Sequence, residues 1–142
     1  MSAKSQVYDI PGEHTKECTT PSHAAATANE EVPVLVVPAS APEGFKIDGV
    51  DLYPGDDVTG ANTNTTHLNL INRGTDGTGT TELANYDLTS GNNLTKAVKK
   101  ALYAPATALS LAVNSVLVLQ HEKVGTGLLV PALRVVVRFR PA

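Results

Sequence analysis

Apolar residues in this chain recur mostly at every second position, in short runs broken by Gly, Pro, Asn and Thr. A period of two puts alternate side chains on opposite faces of an extended strand, so the pattern predicts strands joined by turns. The clearest run is the last. In Leu133-Arg-Val-Val-Val-Arg-Phe-Arg140, Leu133, Val135, Val137 and Phe139 share one face, while Arg134, Arg138 and Arg140 share the other. Thr66–Asn72 alternates in the same way, with Leu68 and Leu70 inward and His67 and Asn69 outward. Glu82–Leu88 groups Ala84, Tyr86 and Leu88 on one face. Val32–Val37 is apolar on both faces, as in a strand buried between two layers, and Pro33 marks its start as an edge. In Phe45–Tyr53 the pair Phe45 and Ile47 is out of phase with Val50 and Leu52 by one residue. A β-bulge at Gly49 would return all four to the same side.

Thr107–Val113 and Ser115–Val124 read as a hairpin turning through Asn114. Asn93–Tyr103 is ambiguous. Leu94, Ala97, Val98, Ala101 and Leu102 fit helical spacing, with Lys96, Lys99 and Lys100 on the polar side, but the β surroundings favour an irregular edge strand. The sum is about eight antiparallel strands, the pattern of an all-β, jelly-roll-like sandwich or barrel. Residues 1–31 behave differently. A short strand fits 5–10, and from Pro11 to Glu31 there is no Val, Ile, Leu, Met or aromatic residue. Such a stretch brings little to a core, so 1–31 is expected to be an extended N-terminal arm and 32–142 the folded domain.

Composition sharpens this picture in two places. Val, Leu and Ala supply most of the 42% hydrophobic content, while aromatics are 4% and Trp is absent, which suits small, tightly packed strands. Cys18 is the single cysteine, so an intrachain disulfide is ruled out. No apolar run approaches the roughly 20 residues of a membrane helix, and none at the N-terminus resembles a signal peptide, so a soluble protein made in the cytoplasm is expected. The net charge of −3 gives no reason to expect nucleic-acid binding. Charge is unevenly spread: residues 1–91 carry 13 acidic and 4 basic side chains, residues 92–142 carry 1 and 7. Either the fold interleaves the two halves and averages them, or opposed patches form that can dock to a partner.

Candidate chemistry adds little. His14, Cys18 and His23 are zinc donors by type, but a structural zinc site takes four ligands and no fourth lies nearby. Asp56, Asp57 and Asp76 lack calcium-loop spacing, and Gly74, Gly77 and Gly79 lack the order of a dinucleotide-binding turn. No Ser stands in a nucleophile elbow, so no enzyme, metal or cofactor is expected.

Three loop segments do carry a likeness: Leu70-Ile-Asn-Arg-Gly-Thr-Asp-Gly-Thr-Gly-Thr-Thr81, the Gly91 to Thr95 turn, and Val124-Gly-Thr-Gly-Leu-Leu-Val-Pro131. Over about residues 32–142 the chain resembles the jelly-roll cement (decoration) proteins of tailed-phage heads. One departure is Asn114-Ser115, where such proteins often have Gly-Asp. The resemblance implies a non-enzymatic virion protein on the outer surface of the capsid. Its partners would be the major capsid protein and other copies of itself, as dimers or trimers, with no nucleic acid and no membrane. Candidate contacts are Arg134, Arg138 and Arg140 on the last strand and Glu13, Lys16, Glu30 and Glu31 in the arm. The alternative is a tail-associated or lectin-like recognition module, which the scarcity of aromatic side chains disfavours.

Overall fold

The structure, a computed structural model, describes residues 12–142. Among them are nine strands and no helix: β1 (His14–Thr20), β2 (Glu30–Val36), β3 (Phe45–Pro54), β4 (Thr65–Asn72), β5 (Thr81–Asp87), β6 (Lys100–Tyr103), β7 (Leu109–Leu111), β8 (Val116–Val124) and β9 (Leu133–Pro141). All pairings are antiparallel. One sheet has the order β1-β9-β3-β6, with β7 also on β3; the other has β2-β8-β4-β5. The two sheets pack as an open sandwich rather than a closed barrel.

The strand order is that of a jelly roll. β6 and β7 both lie along β3, at Val50–Leu52 and Phe45–Ile47, and act as two halves of one interrupted strand. With that strand counted once there are eight. The first pairs with the eighth, the second with the seventh, the third with the sixth and the fourth with the fifth. That is one long hairpin rolled up so that alternate pairs fall in alternate sheets.

The core is the space between the sheets, and the period-two pattern fills it. Phe45, Ile47, Val50 and Leu52 of β3, Leu68 and Leu70 of β4, Leu117 and Leu119 of β8, and Val135 and Val137 of β9 are all buried. The bulge expected at Gly49 is present as a register shift between Ile47 and Gly49 against β9, and it keeps the two apolar pairs of β3 on one side. Gly49 has a second role. A Cβ there would collide with the Arg138 guanidinium and meet the Tyr103 carbonyl at 3.0 Å.

Two expectations change, and the irregular edge strand favoured for Asn93–Tyr103 is present as β6 at the end of its sheet. Residues 14–31 are not an arm. His14–Thr20 form β1, paired with β9 from Phe139 to Leu133, and Glu30 already opens β2. An edge strand is held by its main-chain ladder, which needs no large apolar side chains, so an apolar-poor segment can still join a sheet. The short strand expected at 5–10 lies outside the described residues. The Thr107–Val124 hairpin does not form either. β7 pairs with β3 and β8 pairs with β2 and β4, so Asn114 is a corner between sheets. Its φ of 68° suits Asn, and its N–H donates to the Val37 carbonyl at 2.7 Å. The Asn93–Tyr103 segment resolves as a turn followed by β6. Ala97 at φ 59° interrupts any helix.

Candidate functional site

Two regions hold the residues on which a function can rest: the outer face of the β1-β9-β3 sheet, and one end of the sandwich. On the sheet face, β9 lies between β1 and β3, and this interleaves the basic last strand with acidic neighbours. Arg138 donates from Nε to Asp51 at 3.1 Å and comes within 3.7 Å of Glu13. Arg140 donates to both carboxylate oxygens of Asp48, at 3.1 and 3.0 Å. Arg134 meets Glu17 at 3.5 Å, with both side chains about half exposed. The charge imbalance between the two halves of the sequence is therefore averaged on this face. Burial alone would raise the Asp48 carboxyl, but the Arg140 and Glu13 hydrogen bonds and the Arg140 and Arg138 charges outweigh it and hold the group below its ordinary range.

Glu30 and Glu31 are engaged inside the molecule in the same way. Glu31 on β2 receives the guanidinium of Arg73 and the amide of Gln120. Glu30 stands 3.4 Å from His23 Nε2. Lys16 borders a groove of about 340 Å³ along the seam between edge strands β1 and β2, with Cys18, Val34, Val36, Phe45 and Phe139 also lining it. Burial raises the Cys18 thiol despite the nearby Lys16 ammonium. His14, Cys18 and His23 are not brought together: His14 packs at 5.8 Å on the Phe139 ring, Cys18 lines the groove, and His23 lies against His121.

At the end of the sandwich, residues 21–29 and 125–132 run side by side. His23 and Val130 exchange main-chain bonds at 2.8 and 2.9 Å, and the Ala26 N–H donates to the Thr126 carbonyl at 2.6 Å. Lys123 turns its ammonium inward, donating to the Ala24 carbonyl at 3.0 Å and the Leu128 carbonyl at 2.7 Å, and burial lowers its pKa. Asn64 and Thr66 side chains accept from the Thr126 and Leu128 amides. The side chains of Thr27, Asn64, Thr66 and Lys123 are thus spent on holding these loops together. What faces outward is mainly Ala24, Ala25, Ala26, Ala28, Val124 and Leu129, with Thr27, Asn29 and Thr126 also exposed among them, an uncharged and largely aliphatic tip with Leu129 59% exposed. Ala26 sits at φ 61°, a left-handed conformation that costs an L-residue roughly 1–2 kcal/mol. Strain of this kind persists where surrounding bonds over-determine the backbone, and it clusters at binding sites.

Pattern reading missed this tip because it assigned 24–26 to an arm and read 124–131 as a separate loop before the last strand. The Ala-rich and Gly-Thr-Gly-Leu-Leu compositions become a signal only once both loops are known to meet. No family model, no curated protein and no solved structure matches the chain.

Proposed function

We propose that this protein is a structural component of a virion, a cement protein that binds the outer surface of a tailed-phage capsid and stabilises it by bridging neighbouring major capsid protein subunits. The observation that carries the reading is the rigid apolar tip formed by Ala24–Ala28 and Val124–Leu129. Exposed aliphatic side chains held on a pre-ordered backbone are the form a protein-docking surface takes, because little further ordering entropy is lost on binding. The jelly-roll order, and the likeness of the Leu70–Thr81 and Val124–Pro131 loops to cement proteins, point the same way.

The mechanism is mechanical. Packaged DNA pushes a shell outward, and a rigid module bound across a subunit boundary resists separation. Each contact can be weak, because once one is made the second is intramolecular. Copies of the chain would occupy symmetric sets, dimers or trimers, matching the lattice. The arginines of β9 contribute by keeping the sandwich stiff through their internal pairs, and the tip supplies the contact.

The test is rebinding of purified protein to shells stripped of this chain. Leu129→Asp puts a charge on the tip without touching the core. It is expected to cut occupancy at least tenfold while leaving the melting temperature within about 2 °C of wild type. Unchanged occupancy would remove the tip as the docking surface.

A further inference from the structure

The segment joining β1 to β2 is held down beside two histidines that the docking role does not use. His121 on β8 and His23 on the 21–29 segment are 1% and 3% exposed, and their rings meet edge to face with centroids 5.0 Å apart. Thr27 Oγ1 donates to the Ala24 carbonyl at 2.7 Å, so it accepts from His23 Nε2, 3.2 Å away, and His23 carries its proton on Nε2. His23 Nδ1 and both ring nitrogens of His121 have no hydrogen-bond partner among the described residues. A pair of imidazoles packed this way is stable only while His121 is neutral.

Among the described residues one carboxylate stands close to the pair, that of Glu30, and it lies against His23. On the 21–29 segment the titratable group is His23. On β2 they are Glu30, across the ladder from His121 but with its carboxylate 3.4 Å from His23 Nε2, and Glu31, which is held by Arg73. On β8 it is Lys123, a like charge; Glu122 points the other way, to His67 at 3.2 Å. On β4 the residue opposite His121 is the buried Leu68, and His67 faces outward with Glu122 and Asp87. Residues 125–132 contain no titratable side chain.

We propose that the His23–His121 contact is an acid-sensitive latch: protonating His121 expels the 21–29 segment from the 125–132 loop and dismantles the apolar tip, while the two sheets stay folded. The local bonds that would open are the His23–Val130 pair, Ala26 to Thr126, and the Lys123 bonds to Ala24 and Leu128. The sign follows from linkage. Burial, then the His23 and Lys123 charges, lower the His121 pKa to about 4 in the closed state, whereas an opened, solvated imidazole titrates near about 6.5. Acid therefore favours the open state throughout the window between these values. From about pH 7.5 to about pH 5.0 the opening equilibrium rises about 30-fold, and the effect saturates below about pH 4.

Amide hydrogen exchange on the full chain tests this, read as protection factors so that the intrinsic pH dependence of exchange is removed. The His23, Ala26 and Val130 amides should lose about 30-fold protection between about pH 7.5 and 5.0, and at each pH they should stay far less protected than the Leu70 and Leu119 amides of the central strands, which exchange only when the whole sandwich opens and exposes His121 as well. Latch amides that hold their protection in acid, or that are as well protected as the core amides at every pH and so open only with the whole sandwich, would overturn the proposal. His121→Leu should make the latch amides insensitive to pH over this range; a variant that opens in acid like wild type would also overturn it. If that variant does not fold, the imidazole chemical shifts of His121 in the wild-type chain decide. Their titration midpoint must coincide with latch opening, and a midpoint elsewhere contradicts the mechanism. The outcome is independent of what the tip binds.

Discussion

Replacing Arg138 by Met removes the cation that meets Asp51. The Asp51 side chain is 6% exposed, and its Oδ1 has no hydrogen-bond partner among the described residues, so the guanidinium at 3.1 Å is the main compensation for a nearly buried negative charge. Leaving a fully buried charge without its partner costs roughly 3–5 kcal/mol. Here Arg138 is itself 32% exposed, so water can occupy part of the vacated space and soften the loss. The expected cost is about 2–3 kcal/mol, or a fall in melting temperature of roughly 6–9 °C for a domain of this size. Urea and thermal unfolding of Arg138→Met, Asp51→Asn and the double variant form a cycle that isolates the pair. With both charges gone, the neutral amide at position 51 needs no cation, so the double variant should recover to within about 1 kcal/mol of wild type. Arg134→Met, which breaks the half-exposed pair with Glu17, serves as the contrast and should be nearly silent. If Arg138→Met costs under about 0.5 kcal/mol, like an ordinary surface pair, or if the double variant is as unstable as the single, the reading of β9 as an internally neutralised strand is wrong.

Other variants probe separate parts of the account. Leu119→Ala, at a fully buried position on β8, should cost about 3 kcal/mol in chemical unfolding; a loss under about 1 kcal/mol would contradict the sandwich core. Gly49→Ala should destabilise by about 1–3 kcal/mol, because its Cβ meets Arg138 and the Tyr103 carbonyl, and a neutral effect would argue against the bulge geometry. Ala97→Gly should stabilise by about 0.5–1 kcal/mol, since Gly tolerates φ 59° without the Cβ penalty; a loss of stability would show that the side chain itself is needed. Maleimide labelling of Cys18 should be several-fold slower than that of a free thiol peptide at about pH 7.5, because burial keeps the thiol protonated; equal rates would place it in open solvent.

Strands whose two faces differ were legible from the chain. Leu133 to Arg140 lies in one β-strand with the inward and outward sides that its alternation implies, and the Gly49 phase slip is a real bulge. Strands held by main-chain pairing were not. β1 has polar side chains on both faces along most of its length, so its place beside β9 depends on a partner at the far end of the sequence. Local periodicity is also blind to which sheet a strand joins. Leu109–Leu111 and Val116–Val124 both read as strands, yet a short corner at Asn114 sends them to opposite sheets. The same distance in sequence hid the state of the arginines. Their carboxylates come from Asp48 and Asp51 on β3 and Glu13 and Glu17 near the start of the chain. The latch and the tip were invisible for that reason too, since His23 and His121 meet only after the sandwich closes.

The central claim is abundance on a shell. Quantitative mass spectrometry of purified virions, comparing this chain with the major capsid protein, measures it directly. The account predicts a copy ratio within a few-fold of one, meaning hundreds of copies on each particle. A handful of copies per particle would contradict the cement reading and favour a recognition module at the tail, and complete absence would contradict a virion role altogether.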